Sequence, residues 1–155
     1  MLLAESRNKL ENSISLTESS FQIVPADFTQ LFTEALTHHI IPRVAQHGAN
    51  FAWVTHWLIV HKELNLTVGG IGSRGLPDEN GQVVIGYFMD CKFENQGVAT
   101  EAVSRFVDWL FANPDVKMVT AYTPTEHVRS QRVLQKNGFV GAGQVAEGLS
   151  WQRLR

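Results

Sequence analysis

Asn95-Gln96-Gly97-Val98-Ala99-Thr100-Glu101-Ala102 stands where the pattern of the chain changes. Before it, residues 82–90 alternate and are rich in β-formers. After it, Val98, Ala102, Val103, Phe106, Val107, Leu110 and Phe111 recur at helical spacing until Asn113-Pro114 stops them. A loop between a strand and a helix aims unpaired backbone N–H groups, and the positive end of the helix dipole, at one point in front of the helix. Such a point suits an anion. Gly97 leaves room for a phosphate to approach the main chain, and Ala99 keeps the next turn slim. Taken alone, the segment reads equally well as an ordinary helix start.

Working outward, residues 53–61 and 64–71 read as two antiparallel strands and residues 82–90 as a third, after a turn-rich stretch that contains Asn80-Gly81. Beyond the central helix, residues 116–122 read as a strand and 126–137 as a helix ended by Gly138. Residues 139–145 and 149–154 then make a closing hairpin. Antiparallel strands followed by strand-helix-strand units imply an α+β fold, a mixed α/β sheet with helices on its faces. Towards the N-terminus, Phe28, Leu31, Phe32, Ala35 and Leu36 have helical spacing, residues 1–20 read as a polar arm, and residues 21–155 form one domain.

Composition sets outer bounds. The 155 residues match one domain, and 13 Lys plus Arg against 15 Asp plus Glu leave no basic excess for a phosphate backbone, so nucleic acid is not an expected partner. Cys91 is the only cysteine, which excludes an internal disulfide and multi-cysteine zinc motifs. No apolar run approaches the ~18 residues that a membrane span needs, and the first residues acquire charge too early for a signal peptide. A soluble, cytoplasmic protein with no membrane partner is expected.

A second segment sharpens the reading. Ser130-Gln131-Arg132-Val133-Leu134-Gln135-Lys136-Asn137-Gly138-Phe139 resembles the second signature of the GCN5-related N-acetyltransferases (GNAT), and the Gly97 segment resembles their first. Within that superfamily, the branch containing the ribosomal-protein N-terminal alanine acetyltransferases is most similar. The resemblance implies a mostly antiparallel sheet splayed between its fourth and fifth strands, here residues 82–90 and 116–122, with acetyl-CoA in the gap and no metal. It implies that Asn95, Gln96, Gly97, Val98, Ala99 and Thr100 hold the pyrophosphate. Phe88, Met89 and Asp90 would then run beside the pantetheine. The expected reaction is direct attack by a primary amine, on a small molecule or a protein N-terminus. The alternatives are a non-catalytic CoA-binding or interaction domain, and an acetyltransferase acting on a single folded protein. A homodimer is compatible with all three.

The chain departs from the family pattern at three places. Glu94 stands where Gln or Arg is usual; either its carboxylate points into water and the backbone does the binding, or cofactor affinity is reduced. His127 replaces the leading Asn of the second signature. Leu134 occupies the place where many relatives carry a tyrosine that protonates the departing thiolate. Ser130 is therefore the candidate acid, with a helix residue bonded to a neighbouring carbonyl as its plain structural reading. For the base, His127, Asp90 and an ordered water all stay open.

Other features carry less. Gly70-Ile71-Gly72-Ser73-Arg74-Gly75 satisfies G-x-G-x-x-G but opens onto a turn instead of a helix, so its glycines read as packing residues. His38, His39, His47, His56 and His61 lack metal-ligand spacing. Cys91 reads as a small buried hydrophobe at the end of its strand, with acylation of the thiol as the rarer reading.

Overall fold

The computed structural model describes residues 38, 41–146 and 148–155. The expected arm and the helix around residues 28–36 lie outside the described residues. Helix α1 (Ile41–His47) is followed by a 3-10 turn (Gly48–Trp53). Pro42 sits in the first turn of α1, where its missing N–H removes no helical bond. Strands β1 (His56–His61), β2 (Leu66–Ser73) and β3 (Gln82–Met89) follow, then α2 (Val98–Ala112), β4 (Met118–Thr123), α3 (Val128–Lys136), β5 (Val140–Val145) and β6 (Gly148–Leu154). None of the described helices is long and apolar enough to cross a membrane.

Trp53 does not open β1 as its β-forming composition suggests. It closes the 3-10 turn, with its ring centroid 4.8 Å from that of Trp109 on α2. Packing against the helix has overridden local propensity.

The six described strands form one sheet in the order β1-β2-β3-β4-β6-β5. Every neighbouring pair is antiparallel except β3 and β4. The parallel pair follows from chain direction, because α2 carries the chain back across the sheet before β4 begins. Val83, Ile85, Val119 and Ala121 of β3 and β4 share a buried cluster with Val103, Phe106, Val107 and Leu110 of α2, and with Leu134 of α3. The buried side chains of α2 recur at helical spacing along one stripe, which is why this face of the sheet has its helix. Asn137, at the end of α3, donates from Nδ2 to the Thr100 and Val133 carbonyls at 3.1 and 2.9 Å and ties α3 to the first turn of α2.

The β3 and β4 ladder is short. It runs from Gln82 opposite Met118 to Ile85 opposite Ala121 and then stops, although β3 continues to Met89 and β4 to Thr123. β3 stays paired with β2 as far as Met89, and β4 stays paired with β6 as far as Thr123. The sheet therefore forks between them.

Candidate active site at the fork of the sheet

The loop that leaves β3 decides what the fork can hold. Asp90 is buried, and its Oδ1 accepts the Lys92 N–H at 2.9 Å, which caps the short 3-10 turn Cys91–Phe93. Asn95 takes a left-handed backbone at φ 60° and Gly97 another at φ 84° as the N-cap of α2. Gly97 has no side chain with which to cap this helix. Its first helical bond runs from the Glu101 N–H to the Gly97 carbonyl at 3.0 Å, so Val98, Ala99 and Thr100 present N–H groups with no acceptor in the helix. A Cβ built on Gly97 would meet nothing within 4 Å. Open space, a left-handed turn and three helical donors converge there, and an anion-binding nest is the chemistry they support.

Two contacts that span the fork were not legible in the sequence. Tyr87 lies on β3 in alternation with Val83 and Ile85, so it faces the helices. Its Oη is 2.7 Å from Ser130 Oγ, a contact in which either hydroxyl can donate, and 3.1 Å from the Ser130 carbonyl, to which only the phenol can donate. Burial pushes the phenol up to about 12, against a smaller downward pull from the Ser130 bond. Alternation along β3 was the available signal for Tyr87, but its partner lies 43 residues away.

The second contact corrects an expectation. Glu94 does not point into water; its Oε2 accepts a charged hydrogen bond from Arg129 Nη1, in the first turn of α3. Opposite charges meet because α3 begins across the fork from the loop. The Glu94 side chain is 27% exposed and that of Arg129 64%, so solvent screens the pair and it offsets only part of the carboxylate's repulsion toward an anion.

Other expected residues fall as follows. Phe88 points to the face opposite Tyr87, where its ring covers Gly70; a Cβ on Gly70 would lie 2.7 Å from that ring. The G-x-G stretch is thus a strand flattened for close packing. The His56 ring lies 6.4 Å from that of Phe88, and burial lowers its pKa. Met89 is buried in the core. His127 is the exposed N-cap of α3 and makes no side-chain cap bond. Cys91 is exposed, contrary to expectation, because it opens the 3-10 turn after the strand has ended. Leu134 is fully buried in the core, which leaves Ser130 and Tyr87 as the hydroxyls that α3 and β3 bring together. Among the described residues, no three His, Cys, Asp or Glu side chains are grouped to hold a metal ion.

A family model described as an acetyltransferase (GNAT) domain matches residues 18–140. The chain is 34% identical over 95 residues to the uncharacterized N-acetyltransferase YjdG of Bacillus subtilis (strain 168), covering 61% of this chain and 56% of that protein. It is 28% identical over 85 residues to the uncharacterized N-acetyltransferase p20 of Bacillus licheniformis, covering 55% and 48%. The chain thus spans about half the length of the curated relatives it matches. Among solved structures, the ribosomal-protein-S5-alanine acetyltransferase from Vibrio fischeri superposes with a TM-score of 0.65 at 20% identity, covering 78% of this chain and 71% of that one. The aminoglycoside acetyltransferase AAC(6')-Ib, in complex with coenzyme A, superposes at 0.52 and 20% identity, covering 59% and 61%. At these identities the likeness to solved structures is one of fold.

Proposed function

Because the chain belongs to the acetyltransferase (GNAT) domain family, we propose that it is an acyl-CoA-dependent N-acetyltransferase that moves an acetyl group from acetyl-CoA to a primary amine. The observation that carries this reading is the nest at the mouth of the fork. Left-handed Gly97 faces open space, and the first turn of α2 offers its N–H groups to the same place. Acetyl-CoA fits these residues, because an anion cradle leads into a strand edge that β4 has left. When bound, it supplies the acetyl group as an activated thioester.

The residues around it divide the work. Gln96, Gly97, Val98, Ala99 and Thr100 hold the pyrophosphate through main-chain N–H groups, and Asn95 shapes the loop. Phe88, Met89 and Asp90 offer an open strand edge to the amide arm, as in strand addition. One N–H of β3 polarises the thioester carbonyl. Ser130, at the start of α3, meets the departing sulfur. For the amine proton, His127, Asp90 or a water remain the acceptors, with Asp90 already engaged by Lys92.

The acceptor is a small-molecule amine or a protein N-terminus. An α-amino group of pKa ~7.7 to 8.0 sheds its proton far more readily than a lysine at ~10.4. Relatives of the same fold are described as acting on ribosomal protein S5 and on aminoglycosides, which spans both acceptor types.

Thiol release from acetyl-CoA with a mixed amine panel, set beside calorimetry with CoA, tests the reading. Turnover on one amine or more supports it. Binding of CoA without turnover on any amine favours the non-catalytic domain, and failure to bind CoA removes both. On the same assay, Glu94→Gln should tighten CoA binding by about two- to fivefold, the size of a ~0.3 to 1 kcal/mol charge effect at a helix N-terminus, because Arg129 is released toward the phosphates. Arg129→Ala should weaken binding, and both effects should shrink in high salt.

A further inference from the structure

Tyr87 is anchored on β3 and Ser130 on α3, so their 2.7 Å contact joins the two sides of the fork. The phenol is nearer to Ser130 Oγ than to the Ser130 carbonyl, at 2.7 against 3.1 Å. Either hydroxyl can donate along the shorter contact; when the tyrosine turns its single proton from the Ser130 carbonyl to Oγ, the serine proton is free to turn outward. The two groups differ in acidity. An aliphatic hydroxyl gives up its proton only far above the range of a phenol, even one raised to about 12 by burial. Serine alone is therefore a poor donor to a thiolate.

We propose that Tyr87 is the proton source behind Ser130, the pair forming a two-hydroxyl relay to the sulfur that leaves the acetyl group. The inference rests on the acetyltransferase reading above. As the carbon–sulfur bond breaks, the Ser130 Oγ proton passes to sulfur and the Tyr87 Oη proton passes to Oγ, so no serine alkoxide forms. The proton lost by the amine nitrogen, returned through solvent, restores the phenol. One amine proton thus ends on the thiol, and nothing is oxidised or reduced. Leu134 needs no hydroxyl, because the strand supplies it from the other side of the fork.

Other ionisable groups on the described neighbouring elements are Asp90 at the end of β3, Glu94 with Arg129, Glu101, Arg105 and Asp108 on α2, Tyr122 on β4, His127 at the N-cap of α3, and Arg132 and Lys136 within it. β2 contributes none between Leu66 and Ser73. Burial and the Ser130 bond alone account for the phenol's shift.

The test uses the full chain and two readouts. The first is ultraviolet titration of the thiolate of bound CoA, which needs no turnover. In the unaltered protein the bound thiol should ionise at lower pH than free CoA. Ser130→Ala should return it to the free value, and Tyr87→Phe most of the way. The second is kinetic: Tyr87→Phe should lower kcat by about 10²-fold or more, the usual scale for a lost general acid, with CoA affinity changed less than twofold. The double variant should be no slower than the slower single one, as members of one chain behave. Fluorotyrosine at position 87, with the second tyrosine removed as Tyr122→Phe, keeps the contact and lowers the phenol pKa, so an alkaline limb in kcat should move to lower pH. An unchanged thiolate titration in Tyr87→Phe, additive losses in the double variant, or a loss of kcat matched by a loss of CoA affinity would overturn the relay. An unaltered protein that binds CoA and transfers to no amine would overturn the acetyltransferase reading instead, whatever the titration gives.

Discussion

Gly97→Glu should remove measurable CoA binding, a loss of more than about 100-fold in affinity, which corresponds to roughly 2.7 kcal/mol. Two effects add. The left-handed backbone at φ 84° strains most residues other than glycine and asparagine, glutamate among them, by about 1 to 2 kcal/mol, which favours loss of the loop conformation. The larger effect is electrostatic, because the open space in front of Gly97 would receive a carboxylate where the pyrophosphate is to lie. Gly97→Asn separates the two, since asparagine tolerates the left-handed region and carries no charge. It should lose only a few-fold. Calorimetry on both variants, with circular dichroism to establish that each is folded, decides the matter. Unchanged affinity in folded Gly97→Glu would move the phosphate site elsewhere.

The second large effect is on stability. Leu134 is fully buried where α3 meets the shared cluster, and Leu134→Ala leaves a cavity that costs about 2 to 5 kcal/mol. At about 2 to 4 °C per kcal/mol for a chain of this size, Tm should fall by roughly 4 to 20 °C. Val128→Ala, six positions earlier in the same helix and 48% exposed, should change Tm by little. Thermal melts of the two variants compare core and surface on one element. A small shift in Leu134→Ala would mean that α3 is not packed as described.

The elements with the strongest local punctuation were legible in the sequence. α2 has Gly97 before it and Asn113-Pro114 after it, α3 ends at Gly138, and both observed helices lie within two residues of the spacing-based limits. The three-strand meander was equally plain, and resemblance put the fork between the right strands. Local pattern failed where a residue's neighbour comes from far along the chain. Tyr87 is marked in the sequence only by its place in the alternation of β3, and neither its contact with Ser130 nor the pairing of Glu94 can be read without knowing where α3 starts. Trp53 and Cys91 missed for a different reason. Each falls in a 3-10 turn at a strand boundary, where composition continues the strand but hydrogen bonding has stopped.

The brevity of the β3 and β4 ladder has a mechanical consequence. Among the described residues, three strands lie on each side of it, and within the sheet itself four residue pairs join the halves. Along this seam the chain can breathe without breaking either half. Amide hydrogens at the ends of β3 and β4 should therefore exchange with solvent sooner than those at their paired beginnings, through local openings well below the global unfolding free energy. A molecule lying along the seam is a splint. It would slow exchange on both of its banks together, and at 100 times its dissociation constant it would add about 2.7 kcal/mol to the stability of the whole chain. Occupancy of the fork and closure of the sheet are then two measures of the same event.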